Sequence, residues 1–256
     1  MRDWRQRRRM SQLELANEAE VSARHVSFLE NGRSKPSREM LLKLAERLEI
    51  PLRERNALLL AGGFAPIYSE RTLDDPDLQA AKSAVNLVLA GHEPFPAIAV
   101  DQHWTMVAAN RAIAPFLSVI DPELLVTPVN VMRVSLHPNG MLPHIVNARQ
   151  WRAHLFERLQ RQIEMSGDST LIALLEELRS YPAPAGSLRR ANAGFDLGGI
   201  VVPFRLRTEH GVLTFISTTT IFGTPLDITL SELAIESFFP ADAETAEIMR
   251  RVVGER

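Results

Sequence analysis

Cysteine is absent from the 256 residues of the sequence, and so are long apolar runs. Without cysteine the protein can have no disulfide, thiolate nucleophile, Cys-ligated zinc, iron–sulfur cluster or flavin–thiol adduct. No run approaches the ~18 consecutive apolar residues of a membrane span. The opening residues 1–5 lack the apolar segment of a secretory signal. We therefore expect a cytoplasmic protein with no membrane insertion.

Patterns of catalytic and metal-binding residues are lacking as well. There is no Gly-rich phosphate loop and no His-Glu-x-x-His motif, and the 7 histidines are scattered without ligand spacing. The adjacent acidic pairs Asp74-Asp75 and Glu176-Glu177 indicate a turn and a solvated helix surface instead of a general acid and base. We expect no enzyme, no metal and no required cofactor. A haem held by a single axial histidine is the one cofactor that this pattern leaves open.

Charge is distributed unevenly along the chain. Residues 1–62 contain 13 Lys/Arg against 9 Asp/Glu, whereas acidic residues exceed basic ones in the remainder. A basic head on an acidic body indicates two domains with different partners, and the 45% hydrophobic content is sufficient for packed cores. We predict a first domain over 1–62, a linker over 63–76 and a second domain over 77–256.

Residues 1–62 have the pattern of four or five short helices joined by tight turns. Ser11 and Glu14 match the capping-box pattern at the start of one helix. Ser22 can cap the next helix, which Asn31-Gly32 ends, and two further helices follow. The apolar residues expected to face the core from the first capped helix are Leu13, Leu15 and Ala16.

The order Ser11-Gln12, Leu15-Ala16, Val21-Ser22 and Leu29-Glu30-Asn31-Gly32 resembles the helix-turn-helix of phage-repressor and Xre-type regulators, over residues 2–62. This resemblance implies that the helix after Ser22 places its first residues against base edges in the major groove of DNA. The residues implied to contact a double-stranded DNA operator are Gln12, Ser22, Ala23, Arg24, Ser27, Phe28, Arg33, Lys35 and Ser37.

The resemblance implies different roles within this set. Gln12 would cap a helix or touch the phosphate backbone, and Arg24 would read guanine with its planar fork. The turn after the recognition helix would hold phosphates through Arg33, Lys35 and Ser37. One position departs from the family pattern: Glu20 stands where Gly is usual, in a turn whose left-handed backbone favours Gly.

The remainder of the chain mixes helical and strand patterns. The predicted helices cover residues 77–90, 111–120, 151–165 and 171–181. The predicted strands cover residues 96–101, 105–110, 200–208 and 212–220, as two hairpins. Residues 121–150 are Pro-rich and are expected to be irregular. The fold class is therefore α+β: an all-α helix-turn-helix domain followed by an α/β sensor domain with an antiparallel sheet.

Two resemblances concern this second domain. The strand–turn–strand–helix pattern with Asp101, Trp104, Asn110 and Phe116 resembles the opening of a PAS domain. Separate motifs also look like those of the MmyB/MltR-type regulators, which join an Xre-type helix-turn-helix to a PAS-like ligand-binding domain. These motifs lie at residues 52–66, 92–97, 136–140, 145–147, 151–152 and 222–240. The second resemblance implies a transcription regulator whose sensor encloses an apolar small molecule, with a long-chain fatty acid as the leading candidate.

A pocket for such a ligand needs an apolar lining and a few polar groups that fix its orientation. The candidate lining residues are Phe95, Ile98, Val100, Val107, Phe116, Leu136, Met141, Trp151, Leu155, Phe204 and Phe215. Side chains of this kind belong more often to ordinary core than to a pocket wall. The candidate carboxylate anchors are Arg133, His137, His144, Asn147 and Arg149. Asn110 is expected to hold the turn into the following helix.

These patterns favour a sequence-specific regulator that binds its operator as a homodimer and responds to an apolar ligand, with residues 63–90 as the mechanical link. Two alternatives remain open. The second domain could be a rigid dimerisation module on a constitutive DNA-binding protein, or an adaptor for a protein partner. In a rigid dimerisation module the candidate lining residues would form a solid core, whereas in a sensor they would line a cavity.

Overall fold

The structure is a computed structural model that describes residues 1–183, 201–222 and 227–254. Its contacts divide the chain into two compact units. The first contains residues 1–72 with 164–167 and the described residues of 224–231. The second contains the other described residues.

Residues 1–62 of the first unit contain five helices, where the sequence predicts four or five. They are α1 (Arg2–Arg7), α2 (Gln12–Glu18), α3 (Ala23–Glu30), α4 (Arg38–Arg47) and α5 (Leu52–Ala61). Ser11 forms the predicted capping box with Glu14. Ser22 Oγ accepts a hydrogen bond from the His25 backbone N–H at 3.1 Å, so the predicted start of α3 is also confirmed.

The core of this unit forms where α2, α3 and α4 meet. Leu15 and Ala16 are buried as predicted, but Leu13 is 60% exposed, so its predicted burial is wrong. At about 100° per residue, Leu13 lies on the side of α2 opposite to Leu15. The fully buried residues of this core are Leu15, Ala16, Ala19, Val26, Leu44, Ala45, Leu48 and Ile50.

The turn between α2 and α3 has the left-handed backbone that the helix-turn-helix pattern requires. Glu20 occupies it with φ 53°, a conformation that costs Glu more than Gly. The Glu20 carboxylate accepts a hydrogen bond from Lys43 Nζ at 2.8 Å on α4, and this contact lowers its pKa. The pairing with Lys43 gives this carboxylate a contact that a glycine could not make.

The rest of the chain alternates helices with five strands. The helices are α6 (Gln79–Gly91), α7 (Ala114–Leu117), α8 (Val131–Leu136), α9 (Ala148–Ser166), α10 (Ser169–Ser180), α11 (Ile228–Ser231) and α12 (Ala243–Gly254). The strands are β1 (Ala97–Val100), β2 (Met106–Ala109), β3 (Phe204–Thr208), β4 (Gly211–Ile221) and β5 (Ala234–Pro240). Residues 121–150 are more regular than predicted, since they include α8. The predicted strand start at residue 200 lies outside the described residues.

The strands form one antiparallel sheet with the order β2-β1-β5-β4-β3. Both predicted hairpins, β1–β2 and β3–β4, are present, and the α+β class with an antiparallel sheet is confirmed. Strand β5 was not predicted, although it lies at the centre of the sheet. It joins the two hairpins because it pairs with β1 on one side and β4 on the other.

Successive side chains of a strand point to opposite faces of the sheet. On one face Ala97 and Ala99 pack with Val85 and Leu89 of α6. On the opposite face Ile98 belongs to a larger core with buried residues of α7, α8, α9, α10 and α12. We call this second face of the sheet the inner face.

Candidate DNA-reading surface and ligand cavity

The predicted base-reading residues lie together on the exposed side of α3. Ala23 and Ser27 are one helical turn apart, as are Arg24 and Phe28, whereas Val26 on the other side is buried. The Arg24 guanidinium carbon lies 5.2 Å from the centroid of the Phe28 ring. Arg24 is exposed, so its donors remain accessible to a base edge. Contact of this surface with base edges stays a prediction.

The end of α3 is attached to α1 and α2 through Glu30, a residue that the sequence analysis did not single out. The Glu30 side chain is 1% exposed and accepts hydrogen bonds from Arg5 Nε at 2.7 Å and Arg5 Nη2 at 2.9 Å. Gln12 Nε2 donates to the same carboxylate at 2.8 Å. The bonds from Arg5 hold the pKa of Glu30 below its ordinary value. Glu30 therefore fixes the position of α3.

This cluster gives Gln12 a partner inside the first unit. Its amide retains a second N–H, so the contact with a phosphate stays a prediction. Ser37 Oγ caps α4 by accepting the Met40 N–H at 3.1 Å. Arg33 and Lys35 are exposed in the turn before α4, where their contact with phosphates also stays a prediction.

The second unit contains an apolar cavity of about 120 Å³ between the inner face of the sheet and the helices that cover it. Seven of the predicted lining residues border this cavity, and they are Ile98, Phe116, Met141, Trp151, Leu155, Phe204 and Phe215. Lining residues that the sequence analysis missed include Trp104, Met106, Met132, Val134, Leu117 and Phe238. In the sequence these residues are recognisable only as apolar side chains within helix and strand patterns, and this property does not distinguish the wall of a cavity from ordinary core.

Four predicted apolar residues lie elsewhere in the second unit. Val100 and Leu136 are fully packed in the core, and Phe95 packs against the same cluster. Val107 is 39% exposed on β2. None of the four borders the cavity, so a contact with ligand would require the wall to rearrange.

Among the described residues that line the cavity, polar side-chain groups other than the tryptophan N–H are few. Arg158 Nη1 donates to Glu236 Oε2 at 3.0 Å, and its Nη2 donates to Glu236 Oε1 and to Thr219 Oγ1. The guanidinium lies 4.5 Å from the centroid of the Trp104 ring. Ser135 Oγ accepts the Trp151 N–H at 3.0 Å. These groups are satisfied within the wall, and the charge of Arg158 is balanced by Glu236.

The predicted carboxylate anchors do not border the cavity. Arg133 donates two hydrogen bonds of 2.8 Å to Glu177, which also accepts the Tyr181 hydroxyl at 2.6 Å. Burial and this bond to Glu177 raise the pKa of Tyr181 to about 12. The His137 ring lies edge-on to Tyr181, with 5.0 Å between the ring centroids. This group is a surface network that joins α8 to α10.

The other three predicted anchors are separated from one another. Asn147 is buried, and its Nδ2 donates to the Pro203 carbonyl at 2.8 Å, which ties the start of α9 to β3. Arg149 is exposed. His144 lines a second, open groove of the same unit. Their closeness in sequence thus does not bring them to one site.

Asn110 is structural, but its predicted role is wrong in detail: its side chain makes no cap hydrogen bond to the helical turn that follows it. Its Nδ2 donates to the carbonyls of Leu89 at 3.1 Å and Phe95 at 2.7 Å, and its Oδ1 accepts the Ala97 N–H at 3.1 Å. The side chain is buried on the α6 side of β1. Asn110 therefore connects α6, the following turn and β1.

The part of the chain that the structure describes has no helix long and apolar enough to span a membrane. Over the same residues, no group of three or more His, Cys, Asp or Glu side chains is arranged to hold a metal ion.

Comparison with known proteins assigns both units. The helix-turn-helix family matches residues 1–55, and the family of the MmyB-like transcription regulator ligand binding domain matches residues 81–252. No curated protein matches the chain. The second match covers more than half of the chain and includes the whole cavity lining. These families are DNA-binding and ligand-binding domains of transcription regulators and are not enzymes, which confirms the prediction that the protein is not an enzyme. The chain belongs to the MmyB-like transcription regulators.

Proposed function

We propose that this DNA-binding transcription regulator is a homodimer whose ligand-binding domain encloses a long-chain fatty acid, and that this ligand changes the affinity for the operator. The observation that carries the proposal is the cavity of the second unit, which is lined almost entirely by apolar side chains. A solid core there would have favoured a rigid, constitutive module. The strand order β2-β1-β5-β4-β3 supports a PAS-like sensor.

The size of the cavity specifies how the ligand must bind. A cavity of about 120 Å³ is close to the ~150 Å³ that holds a benzene molecule in an engineered core. A long alkyl chain therefore needs an expanded form of this domain. A ligand that binds only the expanded form shifts the population toward it. If the two forms differ in operator affinity, ligand and operator must affect each other's binding by the same factor.

Extraction of the purified full-length protein with denaturing solvent, followed by mass spectrometry, tests whether it carries a fatty acid. The delipidated protein is then titrated with labelled operator, with and without palmitate, and fluorescence anisotropy reports the affinity. We expect near-stoichiometric fatty acid and a change in operator affinity of about fivefold or more. An operator affinity that palmitate leaves unchanged would support the constitutive alternative.

A cavity-filling variant makes this test specific to the site. Leu155→Trp places a larger side chain at the cavity wall, and Ile172→Trp places the same side chain on the surface of α10, where Ile172 is 41% exposed. We expect Leu155→Trp to abolish the response to palmitate while Ile172→Trp retains it. Overpacking costs about 1–3 kcal/mol, so thermal unfolding must first show that both variants are folded.

The outward side of α6 supports the homodimer. Leu87 is 75% exposed and Val88 is 43% exposed, and Ala84 lies one helical turn before them. Exposed apolar groups on one helix side are typical of an interface. We expect Leu87→Lys to convert a dimer into a monomer in light scattering, whereas Asn86→Lys on the polar side of α6 should leave the dimer intact. A wild-type monomer would contradict this part of the proposal.

A further inference from the structure

A second space lies beside the cavity within the second unit. It is an open groove of about 550 Å³, bordered by the end of α7, the β3–β4 hairpin and α12. Phe116 lines both the cavity and the groove. Its side chain is 7% exposed, and its ring lies edge-on to Phe215 with 6.2 Å between the ring centroids. Phe116 is therefore part of the wall between the two spaces.

The register of β3 and β4 shows that both spaces lie along the inner face of the sheet. Phe204 pairs with Phe215, and both residues line the cavity. Two residues further along each strand, Leu206 pairs with Leu213, and both line the groove. Residues two apart in a strand point to the same face. A ligand longer than the cavity can therefore continue along this face once Phe116 moves.

The charges of the groove suit an anionic group. Its lining includes Arg251, His144 and His210, together with Arg207, against the single carboxylate of Glu209, which lies 3.6 Å from His210. Arg207 follows Leu206 on the edge strand β3, so its side chain starts on the opposite face and reaches the groove around the edge of the sheet. Arg207 and Arg251 are exposed, and neither makes an ion pair with another described residue. A carboxylate bound there would gain charge-assisted hydrogen bonds and remain in contact with water.

The cavity itself is much less suited to an anion. Its cation, Arg158, is bonded to Glu236, which is 4% exposed. A ligand carboxylate that took over Arg158 would leave the Glu236 carboxylate buried without its partner, which is strongly unfavourable. We therefore expect Arg158 and Glu236 to stay paired when an apolar tail occupies the cavity.

We propose that the groove is the head-group site of the ligand, and that Phe116 is the partition which opens to admit it. The ligand class is then a single-chain amphiphile with an anionic head: the end of its tail lies in the cavity, the rest of the chain passes Phe116 into the groove, and its head lies beside Arg207 and Arg251. The cavity and groove together fall within the 300–1,000 Å³ or so of ordinary ligand pockets. This inference rests on the apolar ligand proposed above.

The test compares two ligands that differ only in the head, palmitate and hexadecanol, on the delipidated full-length protein. Trp104 and Trp151 line the cavity, so their fluorescence reports occupation of the tail site. We expect the double variant Arg207→Gln/Arg251→Gln to bind palmitate about tenfold more weakly, the effect of losing a charge-assisted hydrogen bond. Hexadecanol should bind the variant and the wild type within about twofold of each other. Arg250→Gln is the matched control, because Arg250 is exposed on α12 but does not line the groove.

The outcomes separate this inference from the proposed function. If neither ligand binds the wild type, the apolar ligand and the head-group site both fail. If both ligands bind and the double variant weakens neither of them, or weakens both equally, the head-group site alone is overturned. If Arg250→Gln weakens palmitate binding as much as the double variant does, the effect comes from the general surface charge, and the head-group site is overturned as well.

A second variant tests the partition. Phe116→Leu keeps an apolar side chain but removes the ring, so palmitate should associate at least about threefold faster in stopped-flow fluorescence, while circular dichroism confirms the fold. Leu117→Ala, on the same helix and bordering only the cavity, is the control for a loosened wall. Equal association rates for wild type and Phe116→Leu would show that Phe116 does not limit entry.

Discussion

Replacing Glu30 by Gln should loosen α3, the helix predicted to read DNA, from the rest of the first unit. Glu30 is almost completely buried and accepts two hydrogen bonds from Arg5 and one from Gln12. Gln has nearly the same shape as Glu, but its amide nitrogen cannot accept a hydrogen bond. A single side-chain oxygen must therefore accept the hydrogen bonds that two carboxylate oxygens accept in the wild type. The variant thus removes the ion pair while it leaves the packing of α3 unchanged.

The magnitude follows from the bonds that are lost. Hydrogen bonds to a charged group contribute about 1.5–3 kcal/mol, and breaking a buried ion pair costs about 3–5 kcal/mol. Because Gln keeps one acceptor, we expect the free energy of opening α3 to fall by about 2–3 kcal/mol. A loss of 2 kcal/mol corresponds to about thirtyfold faster amide exchange.

Hydrogen exchange with mass spectrometry measures this effect in peptides that cover α3. Glu18→Gln on the exposed side of α2 is the control, because it removes the same charge from a residue without a buried partner. We expect Glu18→Gln to exchange like the wild type. If the amides of α3 exchange at the same rate in Glu30→Gln and Glu18→Gln, the assignment of Glu30 as the attachment point is wrong.

The dependence on pH gives this prediction a second check. The bonds from Arg5 lower the pKa of Glu30 in the folded state from its ordinary 4.5. The carboxylate therefore contributes its full stabilisation above about pH 4.5, and this contribution is lost as the pH falls through the lower folded pKa. The stability difference between wild type and Glu30→Gln, measured by urea unfolding, should shrink over that range and stay constant above it.

Two further substitutions test the reading surface and the sensor. Arg24→Ala should weaken operator binding by about tenfold and relax the preference at one base pair, whereas Arg47→Ala on α4 should do neither in the same anisotropy titration. Asn110→Ala should lower the free energy of unfolding by about 2–4 kcal/mol, because it leaves the Phe95 carbonyl and the Ala97 N–H without their partner and removes one of the two hydrogen bonds to the Leu89 carbonyl. Its control, Asn86→Ala, is exposed on α6 and should change urea unfolding by less than about 0.5 kcal/mol.

The helix starts of the first unit could be predicted because their chemistry is local. Ser11, Ser22 and Ser37 each cap a helix through a backbone N–H three residues further on. The exposure of Leu13 shows where this reasoning ends. Three apolar residues in four positions cannot all face one core, and only the packing of α2 against α3 and α4 decides which of them is left out.

Strand β5 could not be predicted for the opposite reason, since its stabilising partners are distant in sequence. Glu236 and Ser237 occupy buried positions of this strand. Because polar residues are rarely buried and Glu is uncommon in strands, the local sequence does not predict a central strand. The partner that makes Glu236 acceptable is Arg158, which lies 78 positions earlier on α9. A buried carboxylate is recognisable only after its cation has been located.

The cavity shows the same limit in another form. Phe204 and Leu206 have equivalent positions in the alternation of β3, yet one borders the cavity and the other borders the groove. The pattern identifies which side chains point inward. What fills the space opposite each of them depends on α7 and α12, which are remote in sequence.

The predicted anchors Arg133 and Asn147 do not converge on the cavity, because their polar groups are bonded to neighbours outside their own segment, Glu177 and Pro203. Ligand sites are built from such long-range convergence, so apolar lining can be proposed from sequence but a polar head-group site has to be located on the folded chain.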